Sequence, residues 1–378
     1  MTATGVPASS ALARGDAADG VDTPRAAWLG LALGVAFGVC FATGLWSHVL
    51  QHPPSWFTPP PRPAGLYRVT QGLHVATGTA AIPLLLAKLW VVHPRLTAWP
   101  PVRSALHGVE RLALLPLVGG AVFLLLSGVA NVARWYPWGF YFPAAHYGAA
   151  WITVGALVVH IGAKAAATRA ALRRPAPGPP AGDRRSFLAG AAAASGVLVV
   201  ATAGGTVPVL SPLSVLAQRR PGQGPQGLPV NKTAAAARVV DAARDPAYRL
   251  VVVGPGGERA ALSLADLRAL PQHEATLPIA CVEGWSASAS WRGVRVRDLL
   301  ARVGAAGADV VVVESLQRTG RYRASDLRGA QVRDRDTLLA LDLGGEPLDL
   351  DHGFPVRLIA PGRPGVLQTK WVARLVAR

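Results

Sequence analysis

The sequence predicts a bundle of about five transmembrane helices followed by a mixed α/β domain, and three observations carry that prediction. Apolar residues make up 51% of the 378 positions and mean hydropathy is +0.31, yet the formal charge is +17, so apolar and basic residues must be segregated along the chain. Apolar runs of roughly 20 residues or more recur through the first half, each long enough to cross ~30 Å of hydrocarbon. Beyond them, short β-branched runs take over. A soluble nucleic-acid binder can share the pI of 11.2, but its basic residues would gather on one face or helix; these lie in loops between apolar runs, and no nucleic-acid partner is expected. With two cysteines, Cys40 and Cys281, neither a disulfide framework nor a Cys-rich metal site can be built.

Residues 1–25 are small and polar and read as a disordered cytoplasmic tail. Four spans follow within 26–168, near Ala26–Leu50, Val69–Val92, Val109–Ala130 and Ala145–Ala167. A Pro-, Gly- and Arg-rich cytoplasmic linker at 169–185 leads to a fifth span at 186–210. Arg95, Arg103 and Arg111 in one loop, and Arg169, Arg173, Arg174, Arg184 and Arg185 in another, place both loops inside the cell. The alternate loops carry Trp56, Phe57, Trp135, Tyr136 and Trp138, rings suited to the outer headgroup layer. The chain is therefore expected to be a multi-pass protein of the cell membrane whose segment after the fifth span, a linker at 211–229 and a domain at 230–378, is extracytoplasmic. Arg184-Arg185-Ser186-Phe187-Leu188 ahead of an Ala/Gly-rich apolar stretch resembles an internal twin-arginine signal, which would carry an already folded domain across the membrane.

Seven of nine histidines sit in or beside the first four spans. His146 and His160 are 14 positions apart, which on an α-helix is ~21 Å along the axis and ~40° of rotation, so both point to nearly one side. Intramembrane imidazoles are costly and usually functional, and stacked ones suit haem iron. His74 is the favoured outer partner, with His48 a second candidate; His93 and His107 lie at the bilayer edge. The spacing is similar to that of membrane cytochrome b subunits of formate dehydrogenases and nickel-iron hydrogenases, which implies haem b, one or two, and exchange of electrons with quinone. No histidine stands at the cytoplasmic start of the first span, where those subunits place another ligand.

In the second half, 249–253, 310–313 and 356–359 read as strands, and 264–268 and 296–300 as short helices. Leu277-Pro278-Ile279-Ala280-Cys281-Val282-Glu283-Gly284-Trp285-Ser286 places a cysteine at the end of an apolar strand, with Trp291-Arg292-Gly293-Val294 downstream. A second segment runs from His352-Gly353-Phe354-Pro355-Val356-Arg357 to Gln368-Thr369-Lys370-Trp371. The two segments resemble the sulfite-oxidase-type molybdopterin-binding oxidoreductases, nearest the bacterial methionine-sulfoxide-reductase catalytic subunits. The resemblance implies Cys281 as molybdenum ligand and catalytic centre, and His352, Arg357 and Lys370 as holders of the pyranopterin and its phosphate. Soft thiolate and forked cation are the right chemistry for those tasks. Asn231 is a further pterin contact by the same resemblance, and Lys232 stands where the family has an arginine near the metal. Glu283-Gly284-Trp285 replaces the Asn-Arg-Arg-like residues of animal and plant sulfite oxidases, so a basic sulfite pocket is not expected. Glu283 and Arg292 are candidates for proton transfer or for a plain ion pair.

The function implied is oxygen-atom transfer, as sulfoxide or N-oxide reduction or sulfite-like oxidation, on a small or protein-bound substrate, coupled through haem to quinone or another electron carrier. Two alternatives stay open: a molybdenum enzyme with a haem-free anchor and a separate electron partner, and a non-catalytic redox or assembly protein.

Overall fold

The computed structural model describes residues 23–102, 104–173 and 181–378. The expected tail at 1–25 falls almost wholly outside them, as does the middle of the 169–185 linker. The chain divides into two compact units, one of residues 1–42 and 74–201, the other of 43–73 and 202–378.

The first unit is helical. Helix α1 is Thr23–Gln51, α2 Leu66–Leu96, α3 Ala105–Val132, α4 Phe142–Arg173 and α5 Ala181–Ala203. All five are long and apolar enough to cross a membrane. Their outward faces carry Leu31, Leu86, Leu112, Leu126, Ile152, Val158 and Val197, each more exposed than a water-soluble core would leave it. Helix α4 runs past the expected limit at Ala167 because the Ala-rich 165–172 stretch is itself a strong helix former. Helix α5 starts earlier than expected and stops at Ala203, where Gly204-Gly205 and then Pro208 end the helical repeat; Pro208–Leu213 forms a 3₁₀ turn. Ser195 of α5 donates to the Ala80 carbonyl of α2 at 2.9 Å, and α3 packs along α4.

The second unit holds two five-stranded sheets. Strands are β1 Leu250–Val253, β2 Arg259–Leu262, β3 His273–Cys281, β4 Trp285–Arg295, β5 Val310–Ser315, β6 Ala324–Arg328, β7 Leu338–Leu343, β8 Glu346–Pro347, β9 Arg357–Ile359 and β10 Val372–Ala377. One sheet has the order β2-β1-β10-β5-β6, with β1 and β10 parallel; the other runs β3-β4-β7-β8, with β9 paired to β7. The short helices read at 264–268 and 296–300 are present as Leu264–Ala269 and Val296–Ala301.

Every residue of β7 is buried, because that strand separates two cores. Leu339 and Leu341 join Leu250, Val252, Val311, Val313 and Leu375 between the sheets, while Leu338, Ala340 and Leu343 face Leu277, Ile279, Trp285 and Trp291 on the other side. Alternation along β9 does the same work: Leu358 enters the first core and Ile359 the second, which puts Arg357 on the Cys281 side.

The glycine of Trp-Arg-Gly-Val sits where β4 slips register against β7, and a Cβ there would lie 2.0 Å from the Leu339 carbonyl oxygen. Gly293→Ala is therefore expected to destabilise this unit by about 3 kcal/mol or more, read as a lower urea midpoint at unchanged slope.

Candidate active site

Strand β3 ends at Cys281, the turn Val282–Gly284 closes the hairpin, and β4 begins at Trp285 directly opposite the cysteine. Cys281 is 2% exposed and packs in the core with Ile279, Trp285 and Trp291. One cleft is lined by Cys281, Asn231, His352, Arg357, Lys370, Trp285 and Gly365. Five residues from three segments of sequence, all expected to hold the cofactor, thus meet in one place.

Gly353, at φ +113°, allows the meeting: a Cβ at this position would lie 3.1 Å from Lys370 Cβ and 3.2 Å from Arg357 Cβ. Trp371 follows Lys370 in the left-handed region at φ +52°, unusual for a bulky side chain, and is fixed there by full burial and by its indole donating to the Leu350 carbonyl at 2.7 Å. The turn aims Lys370 inward, where Nζ donates to the carbonyls of Asp351 at 2.6 Å and Lys232 at 2.9 Å.

The cradle is strongly cationic. Arg357 is 4% exposed, donates through Nη1 to the His352 carbonyl at 3.1 Å, and lies over the Trp291 ring at 5.2 Å; its Nε has no hydrogen-bond partner among the described residues. Among the described residues no carboxylate pairs with it. Burial pushes Arg357 down to about 9 and holds Lys370 well below the usual lysine range, with the Arg357 charge adding to the latter. Burial, then Arg357, pushes His352 down to about 4, and its Nε2–H donates to the Pro225 carbonyl at 2.7 Å. Two buried cations, of which Arg357 has no carboxylate partner among the described residues, fit an anionic group with phosphate-like oxygens. A single buried thiol at the same cleft fits a soft metal.

These values carry a pH prediction for cofactor-free protein. His352 binds its proton in the unfolded state near 6.5 but in the folded state only near 4, so the unfolded state holds more protons between those values and stability falls as pH drops through that window. The loss is at most about 3 kcal/mol and should vanish in His352→Gln, as followed by denaturant midpoints at several pH values.

One stretch expected to be mere connection belongs to the site. Residues 211–229 supply Leu228 and Pro229 to the cleft wall and the Pro225 carbonyl to His352. Arg219, from the same stretch, forms a half-buried ion pair with Glu283, two residues after the cysteine. The stretch's Pro/Gly/Gln composition gives no signal of this role. Of the other readings, Lys232 donates to Gln317 Oε1 at 2.6 Å and is not among the residues lining the cleft, and Arg292 is exposed on the strand's outer face. Glu283 is the ion-paired one of the two candidates.

In the helical unit, His74 of α2 and His146 of α4 come together, with ring centroids 6.4 Å apart. His74 Nδ1–H donates to the Cys40 carbonyl at 2.8 Å. Ser127 Oγ is hydrogen-bonded to His146 Nδ1 at 2.8 Å and lies 3.2 Å from the Leu124 carbonyl oxygen. The carbonyl partner fixes the His74 tautomer with its proton on Nδ1, and both rings are held through Nδ1. His160 does not join this pair; its charged neighbours are Lys88, Lys164 and Glu110. His48 stacks on His52 at 4.8 Å, in the other unit.

Residues 236–378 match the family model described as oxidoreductase molybdopterin binding domain. Mitochondrial sulfite oxidase of Mus musculus is 36% identical over 155 residues, covering 34% of this chain and 28% of that protein. The NAD(P)H nitrate reductase of Hordeum vulgare is 43% identical over 95 residues, covering 23% of this chain and 11% of that one. A crystal structure of the sulfane dehydrogenase SoxCD from Paracoccus pantotrophus aligns at 24% identity with a TM-score of 0.32, covering 35% of this chain and 38% of that one. The chain thus spans under a third of the length of these curated relatives. Cys281, His352, Arg357 and Lys370 of the cleft all lie within the residues that match the oxidoreductase molybdopterin binding domain.

Proposed function

We propose that this chain is a membrane-bound molybdopterin oxidoreductase that transfers an oxygen atom on the extracytoplasmic face and exchanges electrons with quinone through haem b. The observation that carries the reading is the convergence of Cys281, Asn231, His352, Arg357 and Lys370 on one cleft. The molybdenum cofactor would supply two-electron oxygen-atom exchange there. Cys281 would hold the metal through its thiolate, and Arg357, Lys370 and His352 would hold the pterin phosphate. Arg219 fixes the Glu283 carboxylate beside the cleft, Trp285 lines the cleft, and Trp291 packs in the core behind Cys281. The acidic Glu283 in place of a basic residue favours a sulfoxide or N-oxide over sulfite as substrate.

Haem b is assigned to His74 and His146. Imidazoles bonded to one metal through Nε2 at ~2.0–2.1 Å each have centroids roughly 6 Å apart, close to the spacing present, and both second nitrogens are already engaged. One haem is favoured over two, since the charged neighbours of His160 are Lys88, Lys164 and Glu110. The Arg-rich loops inside, the aromatic loops outside and Arg184-Arg185 as an export signal for a folded domain complete the arrangement.

Full-length protein purified in detergent should contain near-stoichiometric molybdenum and a dithionite-reducible b-type Soret band. His74→Ala and His146→Ala should each abolish that band, whereas His160→Ala should keep it. A band that survives both of the first two changes would refute the ligand pair; a haem-free protein with molybdenum would reduce the helices to an anchor.

A further inference from the structure

A second cavity, of about 220 Å³, lies within the 43–73 and 202–378 unit and is separate from the cysteine cleft. Leu50 to Pro53, at the end of α1, form one wall, and Leu367 forms another. Leu367 belongs to the turn Gly365–Leu367, whose Gly365 lines the cysteine cleft, so a single turn separates the two spaces.

Three of the residues lining this cavity each carry a buried nitrogen with no hydrogen-bond partner among the described residues: Arg363 Nη2, Arg328 Nε and Gln331 Nε2. Each is a donor. The amide orientation of Gln331 is fixed, because Oε1 accepts from Arg363 Nη1 at 3.2 Å, which leaves Nε2 as the unmet group. Arg363 is 4% exposed and Gln331 1%. The remaining bonds of Arg363 go to backbone carbonyls, Nε to Leu367 O at 2.9 Å and Nη1 to Asp326 O at 2.7 Å. Arg328 reaches the Asp326 carboxylate at 3.4 Å and the carbonyls of Pro53 and Pro54. Arg363 and Arg328 thus share the single carboxylate of Asp326 among the residues lining the space.

An orphaned buried donor costs roughly 1–3 kcal/mol, and three around one cavity, with an excess of positive charge, call for an acceptor-rich anion. Forked N–H groups match the planar or tetrahedral oxygens of carboxylate and phosphate. Water alone fits poorly, since it would satisfy the donors but leave the charge. We infer that Arg363, Arg328 and Gln331 form a binding site for an organic oxyanion of the phosphate-ester class, distinct from the molybdopterin cleft. The same chemistry is offered by an anionic phospholipid headgroup, at the end of an apolar helix, and by a free phosphate ester.

The test uses the full chain in a neutral detergent and phosphate-free buffer, with glycerol 3-phosphate as soluble probe and thermal unfolding as readout. Saturable stabilisation is expected, weakened at least 10-fold in Arg328→Gln and lost in Arg363→Gln, with molybdenum content unchanged in Arg328→Gln. Nanodiscs then identify the source. If phosphatidylglycerol nanodiscs, but not phosphatidylcholine ones, abolish the response to the soluble probe, the headgroup is the occupant; if both leave it intact, the ligand is a soluble ester. Absence of saturable binding, or binding by Arg328→Gln equal to the unaltered protein, would overturn the site whether or not Arg363→Gln folds.

Discussion

A Cys281→Ser protein should fold normally, lose its molybdenum, and fall by at least about 100-fold in oxygen-atom transfer, an effect larger than those of cofactor-supporting residues. The fold should persist because serine is close to cysteine in size and the position is the last of a nine-residue strand paired along its whole length with β4. The chemistry should not, because a hydroxyl in this site stays protonated and hard, whereas the thiol can become a soft anionic ligand. Measuring molybdenum per protein beside turnover separates loss of metal from loss of reactivity. Wild-type metal content together with wild-type turnover, on a panel of sulfoxides, N-oxides and sulfite, would remove Cys281 from the centre of the mechanism.

What could be read from the residues alone follows a physical division. Periodicity exposes any element whose burial is set by its neighbours in sequence, so β1, β5 and β9, the two short helices and the five long ones are all legible. The cysteine, histidine, arginine and lysine of the cleft are legible because their chemistry is rare in a core and the motif order ties them together. Contributions made through the main chain escape such reading. The Pro225 carbonyl that fixes the His352 tautomer could belong to any residue, and the Trp371 conformation that aims Lys370 leaves no mark on composition. Helix ends are hidden for a related reason: α5 stops at Ala203 although apolar residues continue to Leu210, because hydropathy records solvent preference and not backbone geometry. The third group is the cluster of Arg363, Gln331 and Arg328, whose polar side chains look like ordinary surface residues until folding buries two of the three almost completely.

Arg357→Met should produce opposite effects on two quantities that usually move together. In the cofactor-free protein the guanidinium is buried without an acid, and burial alone has drawn it down to about 9, so it is a cost to folding rather than a support. Methionine nearly matches its apolar length and can pack on Trp291, at the loss of one hydrogen bond to the His352 carbonyl. No carboxylate is left stranded among the described residues, which is the usual reason that breaking a buried pair is severe. Apo stability is therefore expected to hold or to rise by about 1–2 kcal/mol, some 2–6 °C for a unit of this size. Removing the charge also relieves His352 and Lys370, both of which Arg357 holds down. Cofactor retention should nevertheless fall by about 10–100-fold, as expected when a fork that holds the phosphate is replaced by an uncharged chain. Arg357→Lys should lie between, keeping the charge but losing the fork. Thermal unfolding of apo protein, paired with molybdenum content after expression in a host that makes the cofactor, reads both quantities. A variant that is less stable as apo protein yet binds cofactor normally would show that Arg357 braces the β9 loop and does not serve the anion.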